Sequence, residues 1–297
     1  MQQDTPLVSV LMTAYNREKY IAEAIESVVA SSYTNFELII VDDCSKDNTV
    51  AIIRSLQEKD TRIKVFVNEQ NLGDYKNRNR AASLASGKYL KYLDSDDLIY
   101  PWGLEAMVMC MEKFPQAGFG LMSYGFPQES PYPVLVQPKK AYRAFFFQNF
   151  LFSMGPSGSI INREVFEKLG GFNGEQYLGD TEFWLRAGAL FPVVRMPLDL
   201  IWWRQHDKQQ MQEEFNDILI KGKRYNRYRE LIIQPGCPLS NAERKAVIKN
   251  LENVRLRNIL TNYLFKFKIK RGLFLLKQNN FSVLDLWKAM RKNIYPV

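Results

Sequence analysis

Apolar residues in this chain come in short runs separated by stretches with helical spacing. Leu7 to Met12 is a short apolar run of the kind that makes a buried strand. Ile21, Ala24, Ile25, Val28 and Val29 follow it with the spacing of one helical face. Phe36 to Val41 is a second run, ahead of a helix predicted over Thr49 to Gln57 that Asp47 or Asn48 can cap. Ile63 to Val67 alternates like a strand, Tyr75 to Ala85 reads as a helix, and Tyr89 to Leu93 as the next strand. Strands alternating with helices through short loops predict an α/β fold with a mostly parallel sheet covered on both faces. A helix around Leu104 to Met111 and a strand over Gly118 to Tyr124 extend the series. Pro127 to Pro138 holds four prolines and is predicted to be a loop. Beyond it come a strand at Ser159 to Ile161 and a helix over Arg163 to Leu169, stopped by Gly170-Gly171 as a C-cap.

After His206 the pattern becomes helical. One stripe runs Leu256, Ile259, Leu260, Tyr263, Leu264, Phe267, and a second Val283, Trp287, Met290, Ile294, with Lys and Arg between. The expected division is an α/β domain over residues 1–206 and a basic helical extension over 207–297.

Composition sharpens this division. The net charge is +8, but residues 1–206 hold 21 Lys+Arg against 24 Asp+Glu, while residues 207–297 hold 19 against 8 and so carry +11. A basic C-terminal third points to an anionic surface, phospholipid or nucleic acid, or to a solvated helical face without a partner. No run approaches the roughly 18 to 20 apolar residues of a membrane span. Met1 to Pro6 lacks the apolar core of a secretory signal. Cys44, Cys110 and Cys237 are odd in number and widely spaced, which makes neither a disulfide framework nor a metal knuckle. A cytoplasmic location is expected, with a peripheral position at the inner face of the cell membrane if the tail binds anionic lipid.

Candidate chemistry gathers where the strands end, the ligand-binding edge of an open parallel sheet. The first strand ends in Thr13-Ala14-Tyr15-Asn16, the second in Asp42-Asp43-Cys44-Ser45, and the fourth in Asp94-Ser95-Asp96-Asp97. Asn68 and Asn71-Leu72-Gly73 follow the third. Any one of these is a common turn or cap; four on one edge form a site. Three carboxylates brought together are costly without a cation, and hard oxygen ligands suit Mg²⁺ or Mn²⁺ shared with substrate phosphates. No G-x-G-x-x-G follows the first strand and no G-x-x-x-x-G-K-[ST] occurs, so the dinucleotide fingerprint and the P-loop are absent.

Taken in order, Val8 to Asn16, Ile39 to Ser45, Asn71-Leu72-Gly73 with Arg78-Asn79, and Tyr92 to Asp97 closely resemble family 2 glycosyltransferases. The likeness continues in Gly170-Gly171-Phe172, in Gly179 to Arg186 and in Trp203-Arg204-Gln205-His206, and so covers about residues 6–210. The resemblance implies the GT-A fold, a Rossmann-like sheet flanked by helices, and an inverting hexosyl- or N-acetylhexosaminyltransferase acting in surface-glycan synthesis. The expected donor is a nucleotide-sugar, with a UDP-sugar foremost, and the expected acceptor is a glycan or lipid-linked hydroxyl.

Residue by residue, the resemblance implies that Thr13, Tyr15 and Asp43 line the nucleoside pocket and that Arg78 approaches the nucleotide. Asp94-Ser95-Asp96 matches the family's DxD motif. Asp94 would then contact ribose or metal, and Asp96 would hold Mn²⁺ or Mg²⁺. Asp97 either joins them or caps the next helix. Asp180 matches the catalytic base. The family usually places Glu before this Asp, whereas Gly179 stands here, which leaves Glu182 as the fallback base, although an acid on the helix surface is the reading favoured for it. Arg204 and His206 match positions near the diphosphate and metal, and a structural role for each stays open, as does sugar stacking or simple packing for Trp184 and Trp203. Gly155 to Gly158 reads as an acceptor-side turn.

Two other readings have different signatures. A sugar-nucleotide pyrophosphorylase needs a Gly-rich basic loop where Thr13 to Arg17 stand. A nucleic-acid-binding tail needs stacking aromatics among its cations, which Tyr225, Tyr228 and Phe265 partly supply, but it leaves the acidic strand ends unexplained.

Overall fold

A computed structural model describes residues 5–123, 131–148, 151–175, 178–206, 218–261, 266, 269–278 and 281–290. The chain divides into two compact units, Met1–Ala141 with Phe150–Asp207, and Tyr142–Asn149 with Lys208–Val297.

In the first unit the order is β1 (Val8–Ala14), α1 (Ile21–Val29), β2 (Phe36–Asp42), α2 (Thr49–Gln57), β3 (Ile63–Val67), α3 (Asp74–Ser83), β4 (Tyr89–Tyr92), β5 (Leu98–Ile99), α4 (Gly103–Glu112), β6 (Phe119–Met122) and β7 (Val134–Val136). After α5 (Pro138–Gln148), which straddles the division, come β8 (Ser159–Asn162), α6 (Arg163–Lys168), α7 (Gly179–Leu190), β9 (Val193–Met196) and β10 (Ile201–Trp202). Eight strands form one mixed sheet in the order β3-β2-β1-β4-β8-β6-β9-β7. β1 pairs in parallel with β2 on one side and β4 on the other, so the chain reverses its direction of winding between β1 and β4. That switch point is where open α/β sheets bind ligands.

All of β2 and all of β1 but Thr13 are buried, which is why both read as near-continuous apolar runs. Two of their polar residues face each other in register: Ser9 donates to Glu37 across 2.6 Å. Glu37 also accepts from Lys64 at 2.6 Å and from the amide and hydroxyl of Ser86, both at 2.8 Å. Burial opposes its charge, but these donors prevail and hold its pKa down at about 2.

The prolines of Pro127–Pro138 do not exclude a strand. Val134–Val136 pairs antiparallel with β9, Leu135 opposite Val194, at the sheet edge, where flanking prolines cost no ladder bond. Pro127 itself lies outside the described residues. The two-residue strands β5 and β10 pair with each other and were too short to carry a period. Of the two candidate caps for α2, Asp47 accepts from the Thr49 amide at 3.0 Å, and Asn48 makes no side-chain cap bond. α6 starts on Asn162, whose side chain accepts from Glu164 N–H at 2.9 Å, and ends at Gly170 and Gly171, with φ of +72° and +69°. A Cβ on Gly171 would stand 2.6 Å from the Asn79 side-chain oxygen. Asn79 brackets Phe172, donating to its carbonyl at 2.8 Å and accepting from its amide at 2.9 Å.

The second unit contains α8 (Ile218–Ile233), α9 (Asn241–Ile259), α10 (Ile269–Gln278) and α11 (Val283–Met290). Ser240 and Glu243 start α9 with a reciprocal capping box. Leu256 and Ile259 from the predicted stripe pack with Leu276, Leu286 and Ala289, and Leu260 lies against them. Val283, Trp287 and Met290 fall on α11; Tyr263, Leu264, Phe267 and Ile294 lie outside the described residues. Tyr225 and Tyr228, the aromatics a nucleic-acid reading would stack on bases, are buried; the Tyr225 hydroxyl accepts from Asn258, and Tyr228 packs edge-on to Phe145. Phe265 lies outside the described residues. No helix among the described residues is long and apolar enough to cross a membrane.

Candidate active site

The loops after β1 and β2 are sewn together where both strands leave the sheet. Asn16 and Cys44 take positive φ, +54° and +67°, and so turn the chain sharply at the two strand ends. Asn16 N–H donates to Ser45 Oγ, and Asn16 Oδ1 accepts from Lys46 N–H, both at 2.8 Å. Tyr15 stays 44% exposed at the end of β1, with Thr13 half-buried behind it. Asp43 is buried and accepts three bonds: Asn68 Nδ2 at 2.7 Å, Leu72 N–H at 2.8 Å and Gly73 N–H at 2.9 Å. Two of these fall on Oδ1 and one on Oδ2, so Oδ2 keeps acceptor capacity toward a ligand. The same bonds tie the start of α3 to the end of β2.

α3 is a polar helix that nevertheless buries Tyr75, Asn77 and Arg78. Arg78 Nε donates to Asp74 at 2.7 Å and Arg78 Nη2 to Asp94 Oδ1 at 2.8 Å. Burial opposes both charges, yet the guanidinium holds the Asp94 carboxyl below its ordinary value. Asp94 N–H also donates to Ser157 Oγ at 2.9 Å, which places the Gly155–Gly158 turn against the end of β4. Lys91, fully buried on β4, donates to the Tyr92 carbonyl at 2.5 Å and to the Ser157 carbonyl. Burial lowers its pKa to about 7, against the pull of Asp94 and Asp97.

The charge of the carboxylate cluster is thus offset partly by protein cations. Asp97 is 3% exposed, and burial, then Asp94 and Asp96, push its pKa up to about 8. It accepts from Arg204 N–H at 3.2 Å and does not cap α4, whose N-cap position is Trp102. Ser95 is buried between them in sequence. Asp96 faces His206: Oδ2 lies 3.0 Å from Nε2, and Arg17 Nε stands 3.5 Å from the same oxygen. The imidazole is stacked on Tyr20 at 4.9 Å. Arg204 is engaged by protein groups, donating from Nε to the Asp96 carbonyl at 3.0 Å and from Nη2 to Glu23 at 2.5 Å, with Tyr20 and Trp202 under its guanidinium. It therefore braces the Asp96-Asp97 turn.

Asp180 lies in the first turn of α7, half-buried, with its Oδ1 accepting from Thr181 N–H at 2.6 Å. A helix N-terminus favours the ionised carboxylate. Glu182 is turned into the core, 1% exposed, and paired with Arg186 at 2.8 Å; it is a buried acid, not a surface one. Arg186 in turn donates to the Leu169 and Gly171 carbonyls, both at 2.6 Å. Trp184 is fully buried on Phe119, with its indole N–H bonded to the Met154 carbonyl at 2.8 Å, which makes it a packing residue. Sequence patterns had not singled out Arg17, Tyr20, Tyr75, Lys91 or Ser157 for roles of their own, because each acts by contact across loops.

Among the described residues no group of three or more His, Cys, Asp or Glu is gathered to hold a metal ion. Asp96 and His206 bring one carboxylate beside one imidazole.

A mostly parallel sheet with an acidic, cation-braced edge at its switch point defines a glycosyltransferase of the GT-A class. The chain belongs to glycosyl transferase family 2, whose sequence model matches residues 9–170. An uncharacterized glycosyltransferase of Methanocaldococcus jannaschii is 34% identical over 196 residues, 63% of this chain and 67% of its own length. The Escherichia coli UDP-Glc:alpha-D-GlcNAc-diphosphoundecaprenol beta-1,3-glucosyltransferase WfgD is 41% identical over 110 residues, 37% of this chain and 43% of its own. An uncharacterized glycosyltransferase of Haemophilus influenzae is matched over only 34% of its length. In fold, the chain is similar to Staphylococcus aureus TarS 1-349 in complex with UDP-GlcNAc, with a TM-score of 0.66 at 22% identity over 83% of this chain and 71% of that one. It is also similar to the mannosyltransferase PcManGT from Pyrobaculum calidifontis in complex with GDP-Man and Mn²⁺, with a TM-score of 0.59 at 16% identity over 98% and 88%.

Proposed function

We propose that this chain is an inverting glycosyltransferase that moves a hexosyl or N-acetylhexosaminyl group from a UDP-sugar to an acceptor hydroxyl in surface-glycan synthesis. The observation that carries the reading is the pairing of Asp96 with His206 at 3.0 Å on the switch-point edge that also bears Asp43, Arg78 and Asp94. The UDP-GlcNAc complex of TarS and the UDP-Glc donor in the WfgD name support the donor class.

In this reading Thr13, Tyr15 and Asp43 receive the nucleoside, Asp43 through the free capacity of Oδ2. Arg78 keeps Asp94 ionised and oriented toward the nucleotide, beside Ser95. Arg204 holds the backbone that presents Asp96. Asp96 and His206 would hold a divalent ion, Mn²⁺ better than Mg²⁺ because Mg²⁺ takes oxygen ligands. Held there, such an ion would supply Lewis-acid neutralisation of charge on the diphosphate. Asp180 takes the proton of the acceptor hydroxyl while that oxygen attacks the anomeric carbon from the face opposite the diphosphate.

The second unit is read as a membrane-binding extension. On α10, Ile269, Leu273 and Phe274 are 52%, 50% and 63% exposed, and Lys270 and Lys277 are exposed with them. Apolar residues interleaved with cations suit the interface of an anionic bilayer, where a lipid-linked acceptor resides. The basic extension is read as that anchor, at the inner face of the cell membrane.

The deciding experiment offers UDP-glucose, UDP-galactose, UDP-N-acetylglucosamine and GDP-mannose with Mn²⁺ and measures release of the nucleoside diphosphate. Release from one UDP-sugar, lost in excess chelator, supports the proposal. Release that survives the chelator, or release from GDP-mannose alone, overturns the metal or the donor part.

A further inference from the structure

We infer that Tyr20 is the positioning residue for His206, fixing the plane of the imidazole that faces Asp96. The inference rests on the reading of Asp96 and His206 as the pair that holds the ion.

Tyr20 stands at the N-cap position of α1, where Ser, Thr, Asp or Asn is favoured on local grounds, and it makes no side-chain cap bond. Its ring instead meets a segment from the far end of the α/β unit. The His206 imidazole stacks on it, with centroids 4.9 Å apart and planes 24° from parallel. The Arg204 guanidinium carbon lies 5.1 Å from the centroid of the same ring and 4.9 Å from that of Trp202.

The turn that carries Tyr20 is itself fixed, because the Tyr20 and Ile21 N–H groups both donate to the Arg17 carbonyl at 3.0 Å. Residues 17, 20 and 23 are three apart, the spacing of neighbours along one side of a helical turn. Each grips the same neighbourhood. Arg17 Nε stands 3.5 Å from Asp96 Oδ2, Tyr20 carries the imidazole, and Glu23 accepts from Arg204 Nη2 at 2.5 Å.

A contact at one atom fixes a point and not a plane. The 3.0 Å approach of His206 Nε2 to Asp96 Oδ2 leaves the ring able to turn about that line, and the stacked phenol removes this freedom. A ligating imidazole depends on such orienting partners, and their loss typically costs about 10- to 100-fold in metal affinity. The loop from β1 to α1 thus joins Tyr15, at the nucleoside end of the proposed site, to the imidazole at its ion end.

His206 is the only histidine of the chain, so NMR reads its ring protons in the full-length protein without overlap from a second imidazole. The wild type should show NOEs between the imidazole and Tyr20 ring protons, together with an upfield ring-current shift. Tyr20→Phe keeps the aromatic face and should retain the shift and the wild-type Mn²⁺ affinity, measured by calorimetry in the presence of UDP. Tyr20→Leu should lose the shift and bind Mn²⁺ at least about tenfold more weakly, while its affinity for UDP without the ion stays unchanged. Mn²⁺ added with UDP should also broaden the His206 signals of the wild type. If it leaves them sharp, His206 holds no ion, and the inference falls with that reading. If it broadens them and Tyr20→Leu binds Mn²⁺ as tightly as the wild type, the ion site stands and the positioning role is wrong. Absence of the NOEs in the wild type refutes the stack directly, whether or not Tyr20→Leu folds.

Discussion

Arg78→Met removes the one side chain that joins Asp74 and Asp94. Arg78 is 8% exposed and makes charge-assisted bonds of 2.7 and 2.8 Å. Surface ion pairs contribute little, about 0–1 kcal/mol, but that range does not apply here. Removing one partner of a buried pair leaves a desolvated charge and costs about 3–5 kcal/mol. Part of this is relieved because the Asp94 side chain is 33% and Asp74 23% exposed, so the lower end, about 3 kcal/mol, is expected. Against a typical total of about 5–15 kcal/mol, the variant still folds but melts early. Arg78→Lys keeps the charge without the planar fork and should recover about half of the loss. Urea unfolding at pH 7 of wild type and both variants measures this, with unchanged m as the check on two-state behaviour. UDP titration below the transition should show affinity weakened about tenfold, because Asp94 loses its orientation. A destabilisation under about 1 kcal/mol for Arg78→Met would refute the buried-bridge reasoning.

Glu37 provides a pH test. Its folded pKa of about 2 lies below the ordinary 4.5, so its stabilisation is present above pH 4.5 and is lost as pH falls toward 2. Glu37→Gln should therefore cost about 3 kcal/mol at pH 7 and nearly nothing near pH 2, read from urea midpoints; a gap independent of pH would contradict it. Asp96→Asn should abolish Mn²⁺-stimulated UDP release and weaken Mn²⁺ binding in the presence of UDP by at least about tenfold, whereas retained binding would move the ion elsewhere. Flotation with anionic vesicles should carry the protein at low salt and release it at high salt, and Leu273→Glu with Phe274→Glu should abolish it. Binding to neutral vesicles alone, or none at all, would make the extension a packing element.

Much of the sheet was written in local pattern. β1, β2 and β3 coincide with apolar or alternating runs because each is covered or paired along its whole length, and α2 matches its predicted span at both ends. β7 was hidden among prolines, because an edge strand of three residues tolerates them at its flanks. The polar strand ends stood out too: Asp43, Asp94 and Asp96 are candidates from type and order, and Asp180 only through the resemblance to the family.

What each of those groups can do was left to tertiary contact. Asp94, Asp96 and Asp97 are near-identical neighbours in sequence, yet one is ion-paired to Arg78, one faces His206 across 110 positions of chain, and one is buried and raised to about 8. Gly179 looked like a departure from a pattern until the ring of Tyr75 was found in the space its side chain would need. The sequence by itself determined which residues reach the binding edge, because strand period and turn chemistry are local properties. Only the folded chain decided their charge states and partners, because desolvation and hydrogen bonding depend on groups brought together from distant loops.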